Sequence, residues 1–479
     1  MLALYVAGAI FVLLLLIVFI RALLFVPKRK GDAREPSLVS VDGYSAAQSL
    51  SEMIRCKTVS CADRSLEDSL EFEKFRKLLP KLFPLVFEKC EYEEPSDRSV
   101  LLRLRGEDSA SPTVIMAHYD VVSVADEGWD KPAFDGVIED GFLWGRGTID
   151  TKVTLNAVLF ATESLLKKGF IPKRDIYFAF GGDEEINGYG AKSIVDFFAK
   201  HQIKPGLVLD EGGAVVQNVF PGVKARCALV GTAEKGMANI EYTVASGGGH
   251  SSAPTKNTPI ERLSRVCVKL SKNPFKFRIT PPARKMFDTL ARYSAFVYRL
   301  IFANLWLFAP VLNLITKKNG GELDAILRTT VVFTKMQGAE GMNVIPPVAT
   351  MISNHRILPG ESVESTVDCI KRTLKDESVS IRVIGGMNPS RVSSAEGEAW
   401  DLLSGAISDT WSDAIVSPYL MLACSDSRHY GEICDRVYRF SPLALSGKER
   451  ETIHGNNERI TISQIEKSVE FYLRFIEKL

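Results

Sequence analysis

The chain has 479 residues, too many for one ordinary hydrophobic core, so two or more domains are expected. Hydrophobic residues make up 46% and charged residues 24%, which excludes a disordered chain, and a formal net charge of +1 gives no footing for nucleic acid or another polyanion. The cysteines, at positions 56, 61, 90, 227, 267, 369, 424 and 434, form no Cys-x-x-Cys pair, which excludes a cysteine-only zinc or redox motif and reads as mostly buried free thiols.

The N-terminus departs from the globular composition. Leu2 to Ile20 is uncharged and almost wholly apolar, and Ala22 to Val26 continues the pattern after Arg21. A helix of about 20 residues spans a bilayer core. No basic start or small-residue cleavage site marks a signal peptide, so residues 1–30 read as an uncleaved anchor. Lys28, Arg29 and Lys30 follow the span, and the positive-inside rule then puts the rest of the chain on the cytoplasmic face. Residues 31 to 42 are polar with Gly, Pro and Ser and read as a linker.

Strands and helices then alternate. Thr113 to Ala117 is a short apolar strand ending in His118, Asp175 to Phe180 a second ending in Gly-Gly-Asp-Glu-Glu, and Gly206 to Leu209 a third ending at Asp210. Between the first two lies a helix. Asp150 and Thr151 stand at its N-cap, Leu155, Val158, Leu159, Leu165 and Leu166 recur at helical spacing, and Gly169 closes it. Such alternation implies an α/β domain with a mostly parallel sheet, whose function gathers at the carboxyl ends of the strands.

Near Glu234 the pattern changes. Asn239 to Ala245 alternates like a half-exposed antiparallel strand and is followed by Gly-Gly-Gly-His; Ala349 to Arg356 is another such run, with a helix from about Ser362. These features predict a smaller α+β domain over 233–388, inserted between two parts of the first domain, 31–232 and 389–479, which ends in a helix from Ser463. Phe296 to Ile315 is strongly apolar but interrupted by Arg299 and Pro310; a helix packed at an interface or over a pocket is expected rather than a second span.

The polar residues at the strand ends form a set: His118, Asp120, Asp150, Glu184, Glu185 and Asp210, with His454 far downstream. Imidazole and carboxylate are the ligands zinc accepts when thiolates are absent, and two adjacent ions need a bridging carboxylate. Asp120, two residues beyond His118, can hold its ring from behind. One of the paired glutamates can bind metal while the other stays free as a base, since metal lowers the pKa of water to near 7. Singly these signals are weak: a lone His-x-Asp is common and acidic pairs usually sit on solvated surfaces. Composition alone does not assemble them into one site.

A resemblance does. Met116-Ala-His-Tyr-Asp-Val-Val, Leu143-Trp-Gly-Arg-Gly-Thr-Ile-Asp-Thr-Lys and Phe180-Gly-Gly-Asp-Glu-Glu resemble the metal-site motifs of the aminoacylase and carboxypeptidase zinc metallopeptidases, most closely the carboxypeptidase S and N-acyl-amino-acid hydrolase branch. The resemblance runs from about residue 45 to the C-terminus, with several motifs in the right order. It implies a catalytic α/β domain and an inserted lid domain that often forms a homodimer. It implies two zinc ions, His118 and Asp210 on one, Glu185 and His454 on the other, Asp150 bridging, Glu184 as general base and Asp120 orienting His118. In the lid, Gly248-Gly-His-Ser-Ser-Ala-Pro makes His250 the residue that stabilises the oxyanion, and Asn343 and Arg356 fall at substrate-binding positions. An Arg fork suits a terminal carboxylate. His429, in Asp426-Ser-Arg-His-Tyr, falls near the substrate pocket. The chain departs from the family pattern at Asn457, where an acidic residue is more usual, and at Gly182, where a larger polar residue is.

The implied reaction is metal-assisted hydrolysis of an amide next to a free carboxylate, in a peptide or an N-acyl amino acid. A non-catalytic module on this fold would have lost ligands, and none is missing. A Gly-x-Ser-x-Gly elbow, a Walker loop and a dinucleotide fingerprint are all absent from the sequence.

Overall fold

The computed structural model describes residues 1–27, 39–125, 127–272 and 274–479. The basic cluster at 28–30 and most of the expected linker lie outside the described residues. The main sheet has eight strands, in the order Glu91–Glu93, Ser99–Leu104, Arg174–Gly181, Asp108–His118, Leu207–Val216, Val437–Ala444, Cys227–Glu234, Ile415–Met421. Its centre is parallel: Asp108–His118 pairs in parallel with the strands on either side, and Val437–Ala444 extends the set. Ile415–Met421 is parallel to Cys227–Glu234. The remaining pairings are antiparallel, so the sheet is mixed rather than mostly parallel. For the Ser99–Leu104 strand, connection length is the reason. The segment 105–107 between Ser99–Leu104 and Asp108–His118 is too short for a crossover, so the chain must reverse.

Both faces of the central strands are covered. Ile115, Ala117, Phe178 and Phe180 face a large core closed by the Gly43–Ile54, Lys152–Leu166 and Ile462–Ile476 helices. Val114, Met116, Tyr177 and Ala179 face a second cluster under Gly190–Lys200. Two buried faces explain the continuous apolar runs in these strands.

The second sheet is fully antiparallel, in the order Thr330–Gln337, Val348–Ile357, Gly236–Ala245, Ser380–Met387. Ala238, Ile240, Tyr242 and Val244 point to one side and join a separate core with the Pro259–Ser271 and Val363–Leu374 helices. This one-sided burial is what the alternation in the sequence encodes. Ser362 caps its helix in a capping box with Ser365. The intervening helices behave differently: Phe287, Leu290, Phe302, Leu312 and Leu327 belong to the main core. The stretch 233–388 is therefore shared between two cores.

Leu2–Leu24 is one helix, long and apolar enough to cross a membrane, and 6% of its most apolar window is buried. The Phe296–Ile315 region forms two helices, Phe296–Phe302 and Leu305–Asn319, bent by 105°. All eight cysteines are free thiols.

Candidate metal centre

The centre lies at the carboxyl ends of the parallel strands. His118 is the last residue of its strand and is buried. Its Nε2 lies 3.0 Å from Asp150 Oδ1 and 3.3 Å from Glu211 Oε1. On the other side, His454 Nε2 lies 3.1 Å from Asp150 Oδ2 and 3.1 Å from Glu185 Oε2. Asp150 thus presents one oxygen to each histidine. The turn that carries it is fixed by the buried Glu458, which accepts hydrogen bonds from the Gly147 and Ile149 amides at 3.0 and 2.7 Å and from Arg146 Nη1 at 2.8 Å.

Asp120 organises the second half. His118 Nδ1 lies 3.0 Å from the Asp120 carbonyl and 3.3 Å from its Oδ1. The Glu184 and Glu185 amides both donate to the Asp120 carboxylate, each at 3.1 Å, and Ser60 Oγ donates at 2.7 Å. One carboxylate therefore orients the His118 ring and the glutamate turn together.

The charges at the centre call for a cation. Burial pushes the Glu184 carboxyl well above the ordinary carboxylate range, against the pull of His118, with Asp426, Glu211 and Asp120 adding to the rise. Burial and the neighbouring Asp150 push Glu211 up to about 7 despite His118. Hydrogen bonds to Asp150 and Glu185 raise His454 to about 10. Burial opposes charge on His118, but Glu211, Asp120 and Asp150 outweigh it. The histidines are drawn toward the protonated form because carboxylates crowd them. His118, Asp150 and Glu185, and likewise His118, Glu184 and Glu211, bring ligand atoms within 4.8 Å of one another. Nitrogen and carboxylate oxygen donors, with no thiolate, fit zinc or a similar divalent ion.

Asp210 does not enter either group. Its carboxylate accepts from the Glu211 amide and the Ser427 amide, each at 2.9 Å, and it is buried beneath the site. Glu211, rather than Asp210, lies against His118. The strand pairing explains the exchange: Arg439 pairs with Asp210 and Phe440 with Gly213, so Glu211 and Gly212 bulge out, and Gly212 has φ +141°. A bulge re-aims side chains in this way, and periodicity alone does not reveal one.

Residues 114–478 match peptidase family M20/M25/M40. The chain belongs to this family. It is 35% identical over 451 residues to a probable carboxypeptidase S-like 2 of Dictyostelium discoideum, covering 92% of this chain and 86% of that one. It is 36% identical over 437 residues to an N-fatty-acyl-amino acid synthase/hydrolase of Xenopus tropicalis, covering 90% and 85%. In fold it is similar to an M20 family metallo-carboxypeptidase from Sulfolobus solfataricus, with a TM-score of 0.68 at 18% identity, over 91% of this chain and 99% of that one. The chain is therefore an enzyme of the metallopeptidase and amidohydrolase type.

In this M20 enzyme the small-sheet residues stand apart from the cluster. His250 is exposed on the short Gly249–His250 strand, its Nδ1 2.7 Å from Ser252 Oγ, and none of its hydrogen bonds reaches the cluster. Its strand partner is Val344, and the Asn343 carbonyl accepts from the Ser251 amide at 2.9 Å, so His250 and Asn343 share one ribbon. Arg356 is next to last in the Val348–Ile357 strand, with Nη1 3.5 Å from Cys424 Sγ. Cys424, in contact with Arg356, also lies within reach of the Glu184 charge.

Three other positions are clarified. His429 faces Arg428, Lys192 and Glu432, and burial lowers it to about 4; it is Asp426 of the same turn whose charge reaches His118 and Asp120. At Gly182 a Cβ would lie 2.4 Å from Tyr119 Cζ, so the buried tyrosine ring fills the space of a larger residue. Asn457 Oδ1 accepts from the Asp130 amide at 2.7 Å. Sequence reading missed Glu211 and Glu458. Each adjoins a motif already singled out, Asp210 and His454 respectively, and adjacency was the available signal.

Proposed function

We propose that this M20 enzyme is a two-zinc hydrolase that cleaves an amide bond next to a free carboxylate, in a short peptide or an N-acyl amino acid. The observation that carries this reading is Asp150, whose two oxygens face two separate histidines. In this assignment His118 and Glu211 would hold one ion and His454 and Glu185 the other, with Asp150 available to both. When bound, the ions supply Lewis acidity that polarises the substrate carbonyl and makes water easier to deprotonate.

The protein's own groups do the rest. Glu184 Oε takes a proton from the attacking water and returns it to the leaving amine; its buried carboxyl holds a proton more readily than an exposed one. Asp120 keeps the glutamate turn and the His118 ring in register. Arg356 receives the substrate carboxylate as a two-toothed fork, with Asn343 beside it. His250 donates to the developing oxyanion; its exposure, away from its own cluster, suits donation to the site of a second copy of this chain across a homodimer. The Leu2–Leu24 helix tethers the enzyme to a membrane, with the body on the cytoplasmic face.

The test is a hydrolysis screen of the full chain in detergent with added zinc, using dipeptides and N-acyl amino acids, each with the terminal carboxylate free or amidated. Free carboxylates should be required. Equal turnover of amidated substrates overturns the substrate class, and no turnover of any pair overturns the reading as a whole.

A further inference from the structure

We propose that the bent pair Phe296–Phe302 and Leu305–Asn319 is a second membrane element, seated in the same leaflet as the end of the Leu2–Leu24 helix, so that the body rests on an anionic lipid surface. The proposal builds on the tether reading above. Neither helix of the pair can span: at 1.5 Å per residue they are about 10 and 22 Å long against a hydrocarbon core of about 30 Å, and the 105° bend prevents them from acting as one straight span.

The pair is apolar on its outer side. Leu314 is 70% exposed, Val297 68% and Trp306 56%, and Val311 and Ile315 lie exposed nearby. Its inner residues Phe302 and Leu312 belong to the main core, so the pair is built into the body and not a loose arm. An exposed apolar band on a firmly packed element marks an interaction surface.

Its contacts with the N-terminal helix select the occupant. Phe19 and Phe296 pack edge to face with centroids 5.3 Å apart. At the bend, Asn304 Nδ2 donates to the Val18 carbonyl at 3.0 Å, and Arg21 donates to the Ala303 carbonyl at 2.8 Å and to Asn304 Oδ1 at 3.1 Å. The one charged side chain of the Leu2–Leu24 helix is thereby hydrogen-bonded by neutral polar groups of the bend. The bend is fixed beside Val18 to Arg21, about 5–9 Å short of the helix end. That is the depth at which interfacial helices bury their apolar faces, about 5–10 Å. Where the two elements meet lies a cavity of about 590 Å³ lined by Arg21, Arg284, Lys285, Asp288 and Arg292 together with Phe25 and Trp306; Arg292 pairs with Asp288 at 2.8 Å and Lys285 with Glu396, which leaves the cavity a net excess of cations. Lys317 and Lys318 end the pair. Cations beside aromatics, above an apolar band, match an anionic headgroup layer.

Trp306 makes this testable, because it is the one tryptophan on these three helices. The full chain is reconstituted into phosphatidylcholine/phosphatidylglycerol vesicles with brominated acyl chains, and tryptophan fluorescence is read at neutral pH. The bromolipids should quench the parent, Trp306→Phe should lose most of that quenching, and Leu314→Trp in the Trp306→Phe background should restore it. Equal quenching of parent and Trp306→Phe, or none in either, overturns the proposal. Retention in vesicles through an alkaline carbonate wash reads the N-terminal helix independently. Protein that resists the wash without Trp306 quenching refutes this inference alone; protein lost in the wash refutes the tether, and the neutral-pH quenching still decides the pair.

Discussion

His118 and His454 grip opposite oxygens of Asp150, at 3.0 and 3.1 Å. Two histidines from distant parts of the chain, one ending a strand and one in a loop, address one carboxylate from two sides. A shared carboxylate couples two metal positions, so its loss should not cost one ion alone. Asp150→Asn keeps the shape and one oxygen but removes the charge. We expect zinc bound after dialysis to fall at both positions, with activity lost in parallel. Elemental analysis showing two retained ions would refute bridging.

Glu211, not Asp210, lies against His118, so Glu211 is the proposed ligand where the resemblance implied Asp210. Glu211→Gln should weaken metal binding and remove about one equivalent of zinc. Asp210→Asn should leave metal stoichiometry near the parent value. It should lower stability by about 1–3 kcal/mol, because the part-buried Glu211 amide and the buried Ser427 amide lose a charged acceptor. Side-by-side metal analysis and denaturant unfolding decide the matter; the opposite pattern restores Asp210 as the ligand.

Glu184 lies within ligand distance of His118 and Glu211 but is the glutamate that His454 does not touch, whereas its neighbour Glu185 lies against that histidine. Glu184→Gln should therefore bind zinc as the parent does while kcat falls about 10²–10⁴-fold, the usual range for losing a proton-transfer group. Wild-type turnover by the zinc-loaded variant would remove Glu184 from the reaction.

Much of this was legible in the sequence, and the failures have a physical pattern. The Asp108–His118 and Gly236–Ala245 strands announce themselves because burial on both faces or on one leaves different periodicities. His118, Asp150, Glu185 and His454 were found from motifs, and the structure brings them together. The Glu211–Gly212 bulge was not legible, since it depends on register with the distant Val437–Ala444 strand. The division of 233–388 between two cores was hidden for the same reason: an amphipathic helix does not state which core it faces. Glu458 could be signalled only by its closeness to His454, because its role is to receive backbone amides, which carry no sequence signature of their own.

His355 gives the small sheet a built-in acid sensitivity. It is buried in the small-sheet layer, its Nε2 2.8 Å from Ser353 Oγ and its ring edge-on to Phe275 at 5.7 Å. Burial lowers it from 6.5 to about 4. The neutral ring is favoured in the folded state, so the unfolded chain binds more protons between pH 4 and 6.5. Stability therefore rises with pH across that window and is fully present above it; on acidification it is lost. The difference between pH 7 and pH 4 is about 3 kcal/mol for one group shifted this far. His355→Phe keeps the ring volume and removes the proton. Urea unfolding of parent and variant at pH 7 and pH 4 should show the variant losing about 3 kcal/mol less than the parent on acidification. Identical losses in the two proteins would show that His355 titrates no differently folded and unfolded, and that the acid sensitivity of the small sheet lies elsewhere.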